Sequence, residues 1–504
     1  MNFSTLFIND IKIILPEFFL ATSVLVLVIH GAILAASPTY NYPLINKSIS
    51  WLSVLILTWT LILILNNPIN FRIIFNNTFI YDDLTVFSQS IILISSIACL
   101  IMSQEYIKNY RLNSYEYYLL ILFAILGLML LTSSYDLISA YLAIEMQSLS
   151  FYTLAAFKRK SAFSTEAGLK YFILGAFSSG LILFGSSLIY GFTGVTNLGY
   201  LFCLMNDVNT HISNVKVFFE PYYYNTVIVI ANVFIAVGLL FKLSAAPFHM
   251  WSPDVYEGSP TSSAAIFAIV PKIAVLVIFA RIFQNSLFST VYWWQSIVLF
   301  CAMCSVLIGS FVALKQRKFK RLMAYSAISH VGYLLISFGL GTSIGLQSLF
   351  FYIFIYMITS ICIWSILMSF ELHSSTSRNL SDLSLLIKAN PILAVTFAIA
   401  LFSLAGVPPL AGFYAKMQIF LASLESSMYF IAVISIISSV ISTFYYIRII
   451  KTVYFEKVSD WNFYQQINQG KSLILGLSIF LIVLLFLSPN LLSLCAYKMS
   501  VVLV

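Results

Sequence analysis

Long apolar runs with few charges are the feature that most constrains how this chain can fold. Lysine and arginine number 26 and aspartate and glutamate 18 in 504 residues, so 9% of the residues are charged. Soluble domains carry roughly 25% charged residues. This composition excludes a soluble enzyme, a nucleic-acid-binding protein and a disordered tail. It predicts a polytopic membrane protein.

Fourteen apolar runs approach the length of about 20 residues that a membrane helix needs. Numbered in chain order, spans 1 to 14 are predicted over 13–36, 49–66, 85–103, 116–132, 134–157, 168–192, 223–243, 262–283, 291–314, 321–339, 343–370, 391–423, 427–450 and 472–495. The alternating pattern of a membrane β-strand is missing, so the predicted class is all-α. The short loops leave no room for a soluble domain.

The basic residues test this count. Loops after odd-numbered spans hold 17 of the 26 lysines and arginines, whereas the opposite side, with both termini, holds 4. The positive-inside rule gives such a split when the number of spans between loops is right. We therefore expect both termini to face the side opposite synthesis. The net charge of +8 is then an orientation signal, and it does not indicate an acidic or nucleic-acid partner.

The cysteines of the sequence do not indicate a redox or metal site. Cys301 and Cys304 have CxxC spacing but lie in the apolar run LFCAMCSVLIG. Redox and metal motifs need a polar, accessible setting and usually a second pair, so we interpret these residues as packing residues. The sequence also contains no iron–sulfur pattern and no nucleotide-binding glycine motif. We expect no metal and no cofactor in this chain.

Four ionisable residues lie deep in predicted spans, where charge is costly and usually marks a pathway. They are Glu145 in span 5, Lys242 in span 7, Lys272 in span 8 and Lys416 in span 12. Each alone is compatible with a structural ion pair or with a side chain that reaches the interface. Four together, in a chain so poor in charge, favour an ion or proton pathway.

Prolines interrupt two of these spans. Pro247 follows Lys242 by five residues, and Pro408 and Pro409 precede Lys416 in span 12. Proline removes a backbone hydrogen bond, so such breaks persist in a membrane where they line a protein-buried or hydrated cavity. The five-span offset indicates an internal repeat with ion sites at the breaks. An odd number of spans per repeat makes the second copy inverted.

The same offset aligns span 5 with span 10. AYLAIEMQ at 140–147 matches AYSAISHV at 324–331 without gaps, and His330 falls one position from Glu145. Burial favours the neutral form of a lysine and a nearby carboxylate favours the charged form, so a Glu145–Lys242 pair is the expected switching element. His249 and His330 are candidates for bridging between lysines, because imidazole passes protons at either nitrogen. A core histidine bonded to a carbonyl is the alternative for His330.

Four segments resemble a known family: EMQSLSFYTLAAFKRKSAFSTEAGLKYFILGAFSSG at 145–180, FKLSAAPFHMWSPDVYEGSPT at 241–261, KRLMAYSAISHVGY at 320–333 and LFSLAGVPPLAGFYAK at 401–416. They closely resemble the chain 2 family of NADH–ubiquinone oxidoreductase, respiratory complex I, in its long plant and algal mitochondrial form. The resemblance covers nearly the whole chain. A sister family, chain 4, typically has glutamate in span 12, so the lysine at 416 favours chain 2.

The resemblance implies an antiporter-like fold of about fourteen helices, with two inverted five-helix repeats and broken helices 7 and 12. The implied segments are 1–115 with three helices, 116–283 and 291–455 as the repeats, and 456–504 with helix 14. Glu145, Lys242, Lys272 and Lys416 match the family's proton-relay positions.

The implied function is proton translocation in complex I, coupled to electron transfer in other subunits. NADH, FMN, iron–sulfur clusters and ubiquinone would bind partner subunits. The implied partners are other membrane-arm subunits, among them the antiporter-like chain 4 and the small chain 4L, and the lipid bilayer. The implied location is the mitochondrial inner membrane, with both termini on the intermembrane-space side.

Two other functions stay open at this point. A subunit of a multi-subunit sodium/proton antiporter would share the fold and the lysines. A purely structural membrane spacer is disfavoured by the four deep ionisable residues.

Overall fold

The computed structural model describes residues 10–34, 46–67, 71–110, 112, 114–210, 221–369, 379–456 and 467–503, and these are mostly helical. The α-helices are Leu15–Leu34, Asn46–Asn66, Asp83–Asn109, Glu116–Ser133, Leu137–Ala155, Ala162–Thr193, Leu198–Thr210, Pro221–Leu243, Trp251–Gly258, Thr261–Ile269, Pro271–Ala280, Val291–Lys315, Phe319–Gly339, Ser343–Ser369, Leu386–Ala389, Pro391–Ala405, Ala411–Glu425, Tyr429–Phe455, Gln469–Leu487 and Asn490–Val501.

Short elements of other types complete the described structure. A π-helical turn covers Arg281–Ser286, and 3-10 turns cover Phe288–Thr290 and Leu380–Leu385. One antiparallel hairpin pairs Arg72–Ile74 with Phe79–Tyr81. Four basic residues of the count above lie outside the described residues: Arg111, Lys216, Arg378 and Lys457.

Twelve helices in the described ranges are long and apolar enough to cross a membrane, which confirms the all-α membrane class. The helices that correspond to the other two predicted spans, 5 and 12, do not meet this criterion of length and hydropathy. Span 5 corresponds to Leu137–Ala155, which carries Glu145 and several serines. Span 12 is divided into Pro391–Ala405 and Ala411–Glu425, each of 15 residues.

Backbone chemistry explains where span 7 ends and where span 12 is interrupted. Ser244 (φ 63°) and Gly406 (φ 84°) take left-handed conformations just after the helices, which stops helical hydrogen bonding there. Each lies three residues before a proline, Pro247 and Pro409, and the peptide bond before each of these prolines is cis. Because proline lacks an N–H group, neither helix can resume at once.

A third interruption, which the sequence reasoning missed, lies in span 8. Thr261–Ile269 and Pro271–Ala280 are separate helices, and Lys272 is the second residue of the later one. Pro271 supplies no N–H to the preceding turn, so it interrupts the ladder next to the lysine. Lysines 242, 272 and 416 are thus all close to a break.

The centre of the described structure consists of three spans. Thr261–Ser286 and Phe319–Gly339 are wholly inside the chain, and Ser343–Ser369 nearly so. The helices Leu15–Leu34 and Gln469–Leu487 instead leave most of their apolar surface uncovered. An apolar exterior of this kind suits lipid or other membrane subunits.

Ion pairs near helix ends join segments that the predicted alternation assigns to one side. Lys471 pairs with Glu105 at 3.0 Å. The two residues follow spans 13 and 3, both odd-numbered, and so are predicted to lie on the same side. Asp254 and Glu257, after span 7, form ion pairs with Arg321 at the start of span 10. These acidic residues therefore join chain segments on the basic-rich side.

Candidate functional site

Glu145 and Lys242 lie near each other but form no direct ion pair. Both are half-buried, and no carboxylate oxygen of the described residues is within 4.0 Å of Lys242 Nζ. Lys242 Nζ instead donates to the Tyr152 hydroxyl at 3.3 Å. Glu145 Oε2 accepts from Ser148 Oγ at 3.3 Å, and Ser148 also interacts with the Tyr152 hydroxyl. Two hydroxyl groups therefore connect the predicted pair.

Lys272 has a neutral partner. Its side chain is 4% exposed, and Nζ donates to the Tyr356 hydroxyl at 2.7 Å while lying 4.4 Å from the ring centroid. Within the described ranges, no carboxylate oxygen lies within 4.0 Å of this ammonium group. An unpaired buried charge is costly, so this position favours an ammonium group that can give up its proton.

His330 lies between two tyrosine hydroxyls. Nδ1 is 2.6 Å from the Tyr352 hydroxyl and Nε2 is 3.0 Å from the Tyr446 hydroxyl. A neutral imidazole has one donor and one acceptor, so one tyrosine donates to the ring and the other accepts from it. The ring centroid is 5.2 Å from that of Tyr356, the partner of Lys272. Hydroxyl groups, rather than the carbonyl of the alternative, thus surround this histidine.

Lys416 caps the break in span 12. Its side chain is 5% exposed, and Nζ donates to the carbonyl oxygen of Ala405 at 2.8 Å. That carbonyl belongs to the last residue of Pro391–Ala405, so the break has removed its usual helical donor. Nζ also lies 5.5 Å from the ring centroid of Tyr333, whose hydroxyl is 3.1 Å from Ser438 Oγ.

His249 follows the break in span 7 and has no contact with the lysines among those described. It is buried, it interacts with the backbone of Pro247, and its Nδ1 has no hydrogen-bond partner among the described residues. The contacts described for His249 do not link it to Lys242 or Lys272. Its bridging role therefore stays a prediction.

Two groups of residues result. Glu145 and Lys242 form the first group, arranged around Tyr152. Lys272, His330 and Lys416 form the second, and both lysines act electrostatically on the histidine.

Aromatic side chains lie between the two groups. Tyr152 packs edge-on against Tyr171 with centroids 4.8 Å apart, and Tyr171 stacks on Trp251 at 4.6 Å. Tyr256 interacts with Tyr171 and with Tyr356 of the second group.

The sequence analysis did not identify these tyrosines as site residues, although some of them are spaced so that they share a helix face with other polar residues. Ser148 and Tyr152 follow Glu145 by three and seven residues, a spacing that puts all three on one helix face. Tyr352 and Tyr356 are four residues apart, and so share a face in the same way. In a chain with 30 tyrosines, these spacings become informative only beside a deep ionisable residue.

Comparison with known families places residues 134–442 in the family described as NADH:quinone oxidoreductase/Mrp antiporter, TM. The chain is 43% identical to NADH-ubiquinone oxidoreductase chain 2 of Marchantia polymorpha, covering 98% of this chain and 99% of that one. It is 38% identical to NADH-quinone oxidoreductase subunit N of Paramagnetospirillum magneticum, covering 95% of each.

Solved structures share the fold. A chain of respiratory complex I from Thermus thermophilus with bound Aureothin matches with a TM-score of 0.76 and 27% identity, over 95% of this chain and 98% of that chain. A chain of the Mrp complex from Dietzia sp. DQ12-45-1b matches with a TM-score of 0.80 over 98% of this chain and 97% of that chain. Its identity of 18% means that this second likeness concerns the fold alone.

Proposed function

Because the chain belongs to the NADH:quinone oxidoreductase/Mrp antiporter family, among relatives named chain 2 and subunit N of complex I, we propose that Glu145, Lys242, Lys272 and Lys416 carry its proton pathway. The chain is an antiporter-like membrane subunit of the proton-translocating NADH–ubiquinone oxidoreductase. The relatives with full-length sequence similarity carry complex I names, which favours this function over that of a separate sodium/proton antiporter.

The observation that carries the proposal is the surroundings of the buried bases. Lys272 and His330 both bond to tyrosine hydroxyls, and Tyr356 lies against both of them. A hydroxyl group both donates and accepts, so it can pass a proton without holding a charge. Deep bases surrounded by such groups suit transfer better than permanent ion pairing.

In the first group, the proton moves between Glu145 and Lys242 through Ser148 and Tyr152. The Glu145 carboxylate favours a charged lysine when it is itself ionised. When Glu145 takes up a proton, that support is lost and Lys242 is favoured to release its own. The two hydroxyls keep the carboxylate and the ammonium group apart, which prevents a tight ion pair from trapping the proton.

In the second group, the proton passes from Lys272 to His330 and on to Lys416. Like charges disfavour one another at short range, so a proton arriving at one base favours release from the next. His330 passes protons because each ring nitrogen has its own hydroxyl partner. Lys416, bonded to the open Ala405 carbonyl, lies at the far end of this group. His249 is proposed as a bridge that acts through water at the span 7 break.

We further propose the finer topology: fourteen transmembrane helices, with inverted repeats in 116–283 and 291–455, flanked by 1–115 and 456–504. The similar breaks support the repeats, since Ser244 and Gly406 are left-handed residues three positions before prolines. Ion pairs between helix ends that are predicted to lie on one side support the alternation of the spans.

The proposed setting is the mitochondrial inner membrane, with both termini on the intermembrane-space side. The proposed partners are other membrane-arm subunits, including chain 4 and chain 4L. NADH, FMN, iron–sulfur clusters and ubiquinone are proposed to bind other subunits. The name of the Marchantia relative supports the assembly with complex I subunits, and the basic-residue asymmetry supports the orientation of the termini.

Substitution of the first group tests the proposal. Lys242→Ala and Glu145→Gln should each leave the complex assembled and lower its proton pumping about 10²-fold, the usual cost of losing one proton-transfer group. The readout is proton uptake into liposomes that contain the purified complex and oxidise NADH. Lys170→Ala is the matched control, because Lys170 is an exposed lysine that pairs with Glu166 at 2.8 Å. Normal proton stoichiometry in both assembled variants would refute the relay.

A further inference from the structure

A carboxyl group outside the proposed relay is buried near the start of the described chain. Glu17 lies in the first turn of Leu15–Leu34 and is 3% exposed. Its Oε1 accepts hydrogen bonds from the Tyr81 hydroxyl and from Gln89 Nε2, the second at 2.7 Å. None of the relay steps above uses this group.

The hydrogen bonds of this site leave two acceptors open. Gln89 Nε2 donates both to Glu17 and to the carbonyl oxygen of Met129, at 3.2 Å, which fixes the orientation of the amide. Glu17 Oε2 and Gln89 Oε1 are buried and have no hydrogen-bond partner among the described residues. Both atoms can only accept while Glu17 is ionised. One proton on Oε2 would supply the missing donor.

The charges around Glu17 also favour a proton on its carboxyl group. The groups that interact with its carboxyl group are Tyr81, Gln89 and the backbone N–H of Glu17 itself, all neutral, and no cation of the described residues does so. The Tyr81 hydroxyl in turn interacts with Ser133, which is also neutral. A buried carboxylate without a cation or a full set of donors is strongly disfavoured.

The neighbouring Asp82 shows how this chain holds a carboxylate that is ionised. Asp82 Oδ1 accepts from Arg281 at 2.8 Å and from the backbone N–H of Thr85 at 2.8 Å. A guanidinium group and a helix N-terminus both favour the charged form. Glu17 lies in the first turn of its own helix, where its backbone N–H interacts with the carboxyl group, but it has no guanidinium partner among the described residues. Its donor Tyr81 is the residue next to Asp82 in the chain.

We propose that Glu17 binds a proton in the folded chain and forms a neutral acid–amide pair with Gln89, a proton-binding site separate from the lysine relay. The Gln89 amide donates to Oε1, and the protonated Oε2 donates to an acceptor, with Gln89 Oε1 the open one. The site lies at the end of the chain's first span, beside the Asp82–Arg281 pair at the end of span 8. The inference rests on these contacts and does not depend on the proposed relay.

Infrared spectra of the purified complex test this site. Glu17→Gln should remove absorption from the C=O region of protonated carboxylic acids at neutral pH, and the lost band should shift on exchange into heavy water. Glu166→Gln is the matched control, because Glu166 is an exposed carboxylate paired with Lys170. That variant should lose absorption from the carboxylate region instead.

Two variants, Glu17→Gln and its combination with Gln89→Glu, can give results that would overturn the proposed site. Loss of carboxylate absorption in Glu17→Gln would overturn the proposal. Failure of Glu17→Gln to assemble would overturn it as well, because the amide has the same size and neutrality as the protonated acid. Combining Glu17→Gln with Gln89→Glu reverses the pair, and this double variant should regain the protonated-acid band. A carboxylate band there would contradict the acid–amide pair.

Discussion

The two groups of buried bases differ in how their charge is balanced. The first group contains an acid, Glu145, and both it and Lys242 are half-buried. The second group has three bases and no acid within 4.0 Å in the described structure, and its lysines are 4% and 5% exposed. The first group can therefore hold a positive charge beside a negative one, and the second cannot.

This difference assigns the groups distinct tasks. In the first, the protonation of Glu145 controls whether Lys242 is charged. In the second, three bases close to one another cannot all be charged, because each charge raises the free energy of the others. Uptake of a proton by one base thus favours release by another. The second group should consequently be more sensitive to the loss of any one member.

The largest effect is expected at Lys272. Lys272→Met removes the base that contacts Tyr356 and leaves no other group there to accept the proton, so pumping should fall about 10²-fold or more. Assembly should persist, because methionine fills a similar volume without a buried charge. Proton uptake per NADH oxidised is the measurement, with Lys170→Met as the control. Normal pumping by an assembled Lys272→Met complex would remove the second group from the pathway.

Tyrosine substitutions sharpen the comparison between the groups. Tyr356→Phe should slow pumping about tenfold, because Lys272 then lacks its hydroxyl partner in a closed interior. Tyr152→Phe should cost only about two- to threefold, because Lys242 keeps the Glu145 carboxylate as an electrostatic partner. Steady-state pumping of the two variants, compared at equal assembly, gives the ratio. A larger loss in Tyr152→Phe would reverse the assigned tasks.

A glycine pair in one helix tests the first group without changing any polar atom. A Cβ at Gly175 would overlap the Tyr152 hydroxyl, whereas a Cβ at Gly180 meets no described atom within 4 Å. Gly175→Ala should displace the hydroxyl and lower pumping about as much as Tyr152→Phe. Gly180→Ala should have no effect. Equal pumping by both alanine variants would show that the position of Tyr152 does not matter.

The smallest effect is expected for the cysteines. Cys301 is buried and Cys304 half-buried, and both are free thiols in the helix Val291–Lys315. Cys301→Ser and Cys304→Ser should leave electron transfer by the complex unchanged. The rate of quinone reduction by NADH is the measurement. Loss of an iron–sulfur signal in either variant would contradict the packing interpretation.

Much of the fold could be predicted because each span is a local property. About twenty apolar residues must form a helix in lipid, so composition alone gives the class and most of the helix bounds. Proline likewise predicts the breaks at Pro247 and at Pro408–Pro409. The break at Pro271 was missed because one proline in a long apolar run leaves hydropathy unchanged.

The site was less predictable because it depends on which helix faces meet. The sequence identifies Glu145 and Lys242 as deep charges, but it does not show that Lys242 of another helix meets the face that carries Tyr152. His330 was found through the internal repeat, whereas its partners Tyr352 and Tyr446 lie on two other helices. The pairing of Glu17 with Gln89 joins residues 72 positions apart, which no local pattern reveals.

A double-mutant cycle tests most directly whether the two groups form one pathway. Proton uptake per NADH oxidised should be measured for Lys242→Ala, Lys272→Met and the double variant in the purified, reconstituted complex. Groups that act in series fail as a unit, so the double variant should pump no worse than the poorer single variant. If the two losses multiply, the groups act independently, and the single pathway through Glu145, Lys242, Lys272 and Lys416 is wrong.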